Sequence, residues 1–168
     1  MSRVRDAYLR HAQYYMRILQ SANELYVQGG EAISKGRALF DQEKLNIEAG
    51  QSWSAAHLDV DDEAMRLCNE YPTLGAFCLE LRHSPVERIR WLRAAAHAAH
   101  RLGNRHAEAS HLGNLALALR HQGEVRKAVE YHLQSLTIVR EIGDRQGEGE
   151  NLNNLGNAFL SLVQLQTG

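Results

Sequence analysis

The sequence has few cysteines, no excess of either charge and no long apolar run, and each shortage excludes a class of protein. Cys68 and Cys78 are its only cysteines, too few for a disulfide framework or a cysteine-built zinc site. Nineteen basic residues against twenty acidic ones leave a formal charge of -1, which gives no general attraction to nucleic acid or anionic lipid. Because no apolar run is long enough to cross a bilayer, we expect a cytoplasmic protein that binds neither nucleic acid nor a membrane.

The alternation of apolar and polar residues that marks a strand is also missing at any useful length. Apolar residues recur instead at helical spacing, and a first helix is expected from about Val4 to Val27, ended by Gly29-Gly30. The second helical pattern is strongest through Leu45, Ala49, Trp53 and Ala56. Together they predict an all-α protein with an N-terminal helical hairpin over residues 1–60.

Three local signals predict helix boundaries in the middle of the chain. Asp59-Val60-Asp61-Asp62 is an acidic turn suited to cap the helix that follows it. That helix is expected to end near Glu70, because proline at Pro72 disfavours helical conformation in the residue before it, and Pro72 then opens the next helix. Ser84-Pro85-Val86-Glu87 predicts a capping box with proline at the first helical position.

One phrase of the sequence returns after forty residues. Gly103-Asn104-Arg105-His106-Ala107-Glu108 is followed by Gly143-Asp144-Arg145-Gln146-Gly147-Glu148. The apolar positions behind each phrase also coincide: Leu112, Leu115, Ala118 and Leu119 in the first copy, and Leu152, Leu155, Ala158 and Phe159 in the second. Such a period indicates stacked repeats that bury their apolar faces against one another. Residues 61–168 are therefore predicted to form one stack, with units at about 72–103, 104–143 and 144–168.

The helical phrases behind these copies resemble the first helix of a tetratricopeptide repeat. They run Leu112-Gly113-Asn114-Leu115-Ala116-Leu117-Ala118-Leu119 and Leu152-Asn153-Asn154-Leu155-Gly156-Asn157-Ala158-Phe159. Gly123, Ala128, Tyr131 and Leu136 extend the resemblance into a second helix. The long period is similar to that of kinesin light chains, G-protein-orienting adaptors and the repeat regions of bacterial STAND or NB-ARC signalling ATPases. This resemblance implies a right-handed α-solenoid of helical hairpins and a protein-binding role.

The N-terminal region resembles a part of the same signalling ATPases. The phrases Tyr8-Leu9-Arg10-His11-Ala12-Gln13-Tyr14-Tyr15 and Glu43-Lys44-Leu45-Asn46-Ile47-Glu48-Ala49-Gly50 look like the helical segment that joins the ATPase core to its repeats. The wider setting implied by this resemblance is the sensor or scaffold part of a larger bacterial signalling protein.

The last predicted unit is incomplete, since Val163 stands where the repeat pattern has its turn glycine and no second helix follows. Leu160, Leu162, Val163 and Leu165 would then lie uncovered. Repeat arrays normally end on a polar face. The chain is therefore expected to be either a piece of a longer array or a structural fragment completed by another chain, with homo-oligomerisation through this end as one form of the second case.

The candidate binding residues are those that family position places on the concave face of the first helices. They are Gly113, Asn114, Leu117, Arg120 and His121 in one copy, and Asn153, Asn154 and Asn157 in the next. Asparagine is a poor helix former, and its amide both donates and accepts, which suits the backbone of an extended partner peptide. The alternative is that these asparagines are solvated or bond to neighbouring helix turns.

Nine histidines raise the alternative of a metal-dependent regulator. His97 and His100 share a helix face, and His106 and His111 lie nearby, but no HExxH motif occurs and no carboxylate completes a set. No phosphate loop or catalytic triad has the required sequence context either. We therefore expect no metal, no cofactor and no enzyme, but a protein-protein interaction module that binds a peptide or helix of a partner.

Overall fold

The computed structural model describes the backbone of residues 3–167 and the side chains of residues 3–164. Over this part of the chain it contains eight helices and no strand. The helices are α1 (Arg3–Gln28), α2 (Ala32–His57), α3 (Asp62–Leu74), α4 (Ala76–Arg82), α5 (Pro85–Arg101), α6 (Arg105–His121), α7 (Val125–Glu141) and α8 (Arg145–Thr167). The prediction of an all-α protein is confirmed.

The chain divides into two compact units, Met1–His83 and Ser84–Gly168. In this division α3 and α4 group with α1 and α2, and the domain boundary expected at residue 60 stays a prediction. Long-range hydrogen bonds explain this grouping. The Tyr71 hydroxyl donates to the Ala12 carbonyl at 2.7 Å, and the Asn23 side chain accepts from the Phe77 amide at 2.8 Å.

In the first unit, the predicted second helix is α2, and Leu45, Ala49, Trp53 and Ala56 all lie within it. These residues do not form its buried face, since Leu45 is 81% exposed. The helix instead buries Phe40, Ile47, Gln51 and Ser54 together with two glycines. A Cβ on Gly50 would overlap the Tyr71 hydroxyl and lie 3.0 Å from Cα of Ala12. Close backbone approach, which requires small residues, therefore selects this face rather than the bulkiest apolar side chains.

The boundaries of α3 confirm one expectation and contradict another. Asp61 caps the helix by accepting from the Glu63 amide at 3.0 Å, and its bond to Arg5 holds the pKa of its carboxyl below the ordinary value. The predicted end near Glu70 is wrong, because α3 continues through Pro72 to Leu74. Pro72 is buried and lies only two residues from that end, so the helix loses a single hydrogen bond to it.

In the second unit, α5 to α8 follow one another through short turns that repeat one geometry. Gly103, Gly123 and Gly143 have φ of +68°, +89° and +72°, a conformation that glycine adopts without strain. After each one, the next amide donates back to the helix just ended, as from Asn104 to the Ala99 carbonyl at 2.9 Å. The glycine helix ends and the capping box of Ser84 and Glu87 are both confirmed.

The core of this unit contains the coincident apolar positions of the two copies. One cluster joins α5, α6 and α7 through Ile89, Leu92, Leu115, Ala116, Ala118, Leu119 and Ala128. A second joins α5 to α8 through Ala96, Ala109, Leu112, Leu136, Ile138, Val139 and Leu155. Consecutive helices are thus held by shared clusters, as a stacked repeat requires.

The helix α8 passes the position where the repeat pattern has its turn. Val163 lies inside α8, which continues to Thr167. Leu160 and Val163 are exposed and Leu162 is half-buried, while the side chain of Leu165 lies outside the described residues. Over the described residues, α8 is therefore one long helix with an apolar exposed surface.

Candidate functional site

A groove of about 390 Å³ lies between α6 and α8 of the second unit. The α6 wall includes Ser110, Gly113, Asn114 and Leu117, and the α8 wall includes Gly147, Glu150, Asn151 and Asn154. Both sets follow the three- and four-residue steps that bring side chains to one face of a helix. Ser135 and Val139 of α7 are buried and form the floor.

A buried hydrogen-bond network fixes the groove floor. The Asn151 amide nitrogen donates to the Ser135 hydroxyl at 3.0 Å and to the Gly147 carbonyl at 3.0 Å. The Ser135 hydroxyl in turn donates to the Ala109 carbonyl at 2.8 Å. These bonds connect α6, α7 and α8, so the floor is held in place and its polar groups are already satisfied.

His132 completes this network from beneath. Its Nδ1 lies 3.3 Å from the Asn151 side-chain oxygen, and because the amide nitrogen donates elsewhere, the ring donates through Nδ1 to that oxygen. Burial lowers the pKa of His132, with a smaller opposing contribution from the Asn151 bond and a further lowering by the charge of Arg120. The imidazole is therefore held neutral.

Gly113 leaves this floor accessible from the groove. A Cβ at that position would lie 3.7 Å from the Ser135 hydroxyl oxygen and 3.9 Å from the Asn151 side-chain oxygen. Both are ordinary contact distances, so a methyl group would fit but would cover the network. Glycine is the least favourable residue after proline inside a helix, and here its effect is to deepen the groove.

The charged side chains lining the groove are mainly acidic. Asp144 accepts from the Gly147 amide at 2.9 Å as the cap of α8, and His106 lies 3.8 Å from its other oxygen. Glu150 accepts from Gln146 at 2.9 Å, and no lysine or arginine among the described side chains lies within ion-pair distance of it. The groove therefore presents carboxylates to any ligand.

Carboxylates beside the groove are neutralised in a different way. Glu108 accepts from Arg105 at 2.7 Å, and Arg105 also pairs with Glu141. Glu148 accepts from Arg140 at 2.7 Å, and this bond lowers the pKa of the Glu148 carboxyl. Since these acids have fixed arginine partners, the charge available to a ligand is concentrated on Asp144 and Glu150.

The structure brings together half of the residues that family position indicated. Gly113, Asn114, Leu117 and Asn154 line the groove, whereas Arg120, His121, Asn153 and Asn157 are not among its lining residues. Asn153 and Asn157 are exposed on another face of α8. One residue of a helix turns the side chain by about 100°, so neighbouring asparagines point in different directions.

Asn151 is one of the groove residues that the sequence prediction omitted. It stands forty positions after His111, and both residues are buried. A polar residue at a buried position of the repeat is the signal that indicates it. The Asn151 side chain bonds to neighbouring helix turns.

The histidines and cysteines are dispersed over the described part of the chain. No group of three or more metal-ligating side chains occurs there. His97 and His100 are exposed, and His100 lies 3.0 Å from Glu108. Burial raises the pKa of the Cys68 and Cys78 thiols to about 12, so both are protonated core residues. Nor does any helix in these residues have the length and apolarity of a membrane span.

A protein-family model matches the part of the chain that contains the groove. Residues 107–166 match a family model described as tetratricopeptide repeat. This match supports a tetratricopeptide repeat protein. The matched stretch runs through α6, α7 and α8, and the all-helical fold is consistent with a solenoid of the tetratricopeptide type. Repeats of this family are typically interaction modules without catalytic activity, which suggests a protein partner. No curated protein matches the chain.

Proposed function

We propose that the groove between α6 and α8 binds an extended or helical segment of a partner protein. The observation that supports this is the pair Asn114 and Asn154, one on each wall. Neither amide is hydrogen-bonded to another described side chain or backbone group, whereas Ser135 and Asn151 beneath them bond to each other and to the backbone. Two free amides facing one channel suit the alternating donors and acceptors of a peptide backbone.

The charge of the groove indicates which charge a partner segment should carry. Asp144 and Glu150 are the carboxylates among its lining residues, and His106 is the one lining side chain that can become positively charged. A partner segment with lysine or arginine would complement these carboxylates, whereas an acidic segment would be repelled. The partner is accordingly a peptide segment of neutral to basic character that is held mainly through its backbone.

A phage-displayed library of random linear peptides, selected on the full chain, tests this proposal. We expect the selected peptides to be rich in lysine or arginine and to lose about tenfold or more in affinity on Asn114→Ala/Asn154→Ala. Asn153→Ala/Asn157→Ala is the matched control, because it removes two amides from α8 outside the groove.

The outcomes of the selection test the location of the binding site and the charge of the partner peptide separately. Peptides that bind the Asn114→Ala/Asn154→Ala variant as tightly as the intact protein would show that the groove is not the site. Peptides that depend on these amides but contain no basic residues, and that bind Glu150→Gln equally well, would contradict the charge argument alone.

The wider setting that we propose is a larger bacterial signalling protein, in which the chain acts as a sensor or scaffold. Its support is the forty-residue period and the resemblance of the α1 and α2 phrases to the linker of STAND-type ATPases. A gene that encodes these residues in one frame with a phosphate-loop ATPase, or beside one, would support it. Genes with neither arrangement would count against it. The cytoplasmic location and the lack of nucleic-acid and membrane binding stay predictions.

A further inference from the structure

The exposed side of α5 carries a line of basic residues. Arg90, Arg93 and His97 are exposed, and steps of three and four residues place them on one face of the helix. Val86, four residues before Arg90, continues this line and is 62% exposed. We call Val86, Arg90, Arg93 and His97 the α5 basic stripe.

The two arginines of the stripe are not neutralised within the described part of the chain. Elsewhere in the same unit, three arginines pair with glutamates: Arg105, Arg140 and Arg145. Among the described side chains, no carboxylate lies within ion-pair distance of Arg90 or Arg93. The one acidic residue of α5 is Glu87, which accepts from the Ser84 amide at 2.8 Å in the capping box. The positive charge of the stripe is therefore available to a ligand.

Helix stability does not account for these two charges. Arg90 and Arg93 stand three residues apart, and like charges at that spacing destabilise a helix. Cations are favourable in the last turn of a helix, where α5 has His100 and Arg101. Arg93 is only the ninth of the seventeen residues of α5, so neither stripe arginine gains from that effect.

The stripe also borders an apolar cleft. A cavity of about 490 Å³ is lined by Val86, Ile89 and Ala94 together with Arg90, Arg93 and His97. Ile89 is buried and Ala94 half-buried, so apolar atoms lie beside the charged groups. Because the stem of an arginine side chain is itself apolar, the cleft suits a ligand that combines an apolar group with carboxylates.

We propose that the α5 basic stripe binds an acidic segment of a partner protein. Carboxylates of the segment pair with Arg90 and Arg93, since a guanidinium group can hold a carboxylate through two parallel N–H bonds. An apolar side chain of the segment packs against Val86 in the cleft. The partner differs in charge from the one proposed for the groove, so the second unit has two binding surfaces of opposite charge.

The distribution of charge favours a protein segment over nucleic acid or an anionic membrane. Affinity for a polyanion grows with the number of phosphates that are neutralised, and Arg90 and Arg93 are the only permanently charged residues of the stripe. The chain has a formal charge of -1, and its groove presents Asp144 and Glu150, which repel a polyanion. A phosphate backbone would also leave the apolar cleft unfilled.

A phage-displayed library of random linear peptides tests the proposal when it is selected on the full chain and depleted on the Arg90→Gln/Arg93→Gln variant. The peptides that remain depend on the stripe, and we expect them to be rich in aspartate and glutamate. In fluorescence anisotropy, synthetic peptides of the selected sequences should lose about tenfold or more in affinity on Arg90→Gln/Arg93→Gln. Their affinity for the intact chain should also fall as salt is added.

Arg126→Gln/Arg145→Gln is the matched control, because it removes the same charge from exposed positions of α7 and α8. It should leave the affinity unchanged. Val86→Asp should weaken binding, because its carboxylate, four residues before Arg90, can pair with that arginine in place of the ligand. Circular dichroism should show all of these variants folded, since every substituted side chain is exposed.

Asn114→Ala/Asn154→Ala should leave the affinity for these peptides unchanged, so the result is independent of the groove proposal. If the library yields no peptide that depends on Arg90 and Arg93, or if the dependent peptides are not acidic, the stripe is a solvated face and the proposal is wrong. Tighter binding of a labelled oligothymidylate or of phosphatidylglycerol vesicles through the same arginines would assign the stripe to nucleic acid or to a membrane and would equally overturn it.

Discussion

The helices α6 and α8 are two copies of one sequence pattern, and they differ in what covers them. In α6 both apolar sides are buried, in two clusters that also contain residues of α5 and α7. In α8 the side that carries Leu155 and Ala158 is buried, while the side that carries Leu152 and Phe159 is exposed. The comparison shows that the repeat determines which positions are apolar, whereas the neighbours determine which of them form the core.

Equivalent polar positions of the two helices also agree in one case and differ in another. His111 of α6 and Asn151 of α8 occupy equivalent positions and are both buried. Gly113 and Asn153 are also equivalent, yet Gly113 lines the groove and Asn153 does not. Equivalent positions therefore lie on the same face of their helices, but that face can have different neighbours in the two copies.

The largest expected contrast comes from truncating the same residue at the same repeat position. Leu112→Ala removes a buried side chain from a packed cluster and should lower the free energy of unfolding by about 2 to 5 kcal/mol. Leu152→Ala, on the exposed side of α8, should lower the free energy of unfolding by less than about 1 kcal/mol. Urea unfolding followed by circular dichroism measures both. Equal losses would show that the Leu152 side of α8 is buried in solution and would contradict the difference between the two helices.

The next contrast concerns the asparagines of α8. Asn151→Ala removes the donor to the Ser135 hydroxyl oxygen and the acceptor of the His132 ring N–H, so we expect a loss of about 1 to 3 kcal/mol in the free energy of unfolding. Asn153→Ala is the control, because that side chain is exposed and alanine is the better helix former. The control should be neutral or slightly stabilising. A stable Asn151→Ala variant would contradict the buried network.

Helix ends and repeat positions were predictable from the sequence because their causes are local. The left-handed glycines at Gly103 and Gly143, the Asp61 cap and the Ser84 capping box each depend on residues within one helix turn. The coincident leucines and alanines depend only on the repeat. These features need no knowledge of which helix lies opposite.

The buried face of α2 and the lining of the groove have the opposite property, since each depends on a distant neighbour. The face of α2 is selected by the approach of Ala12 and Tyr71 to Gly50, which no pattern within α2 reveals. Asn151 and Asn154 line the groove while Asn153 and Asn157 do not. That distinction follows from the helix that packs opposite α8, and the composition of α8 alone does not reveal it.

Acid should weaken the fold through His132. Its pKa is lowered below the ordinary 6.5 by burial, so below that pH the unfolded chain takes up a proton that the folded chain resists. Stability from this group is complete above about pH 6.5 and is lost as the pH falls, with a slope of at most about 1.4 kcal/mol per pH unit. Urea unfolding between about pH 7.5 and about pH 5.5 measures the slope.

The matched substitutions for this experiment are His132→Gln and His121→Gln. Glutamine keeps a hydrogen-bonding group toward Asn151 but does not titrate, so His132→Gln should flatten the pH dependence. His121 is exposed, and its substitution should leave the dependence as it is. Parallel profiles for His132→Gln and the intact protein would assign the acid sensitivity to other histidines.

The smallest expected effect distinguishes Gly113 of α6 from Gly156 of α8. Gly113→Ala and Gly156→Ala should each stabilise the fold by about 0.5 to 1 kcal/mol, because alanine is the better helix former and neither new methyl group meets a close neighbour. Only the methyl at Gly113 enters the groove, where it would lie 3.7 Å from the Ser135 hydroxyl oxygen. Thermal unfolding should therefore show two similar gains, while affinity for groove-selected peptides should fall for Gly113→Ala alone. If both variants gain stability and keep full affinity, the depth that Gly113 gives the groove has no part in binding.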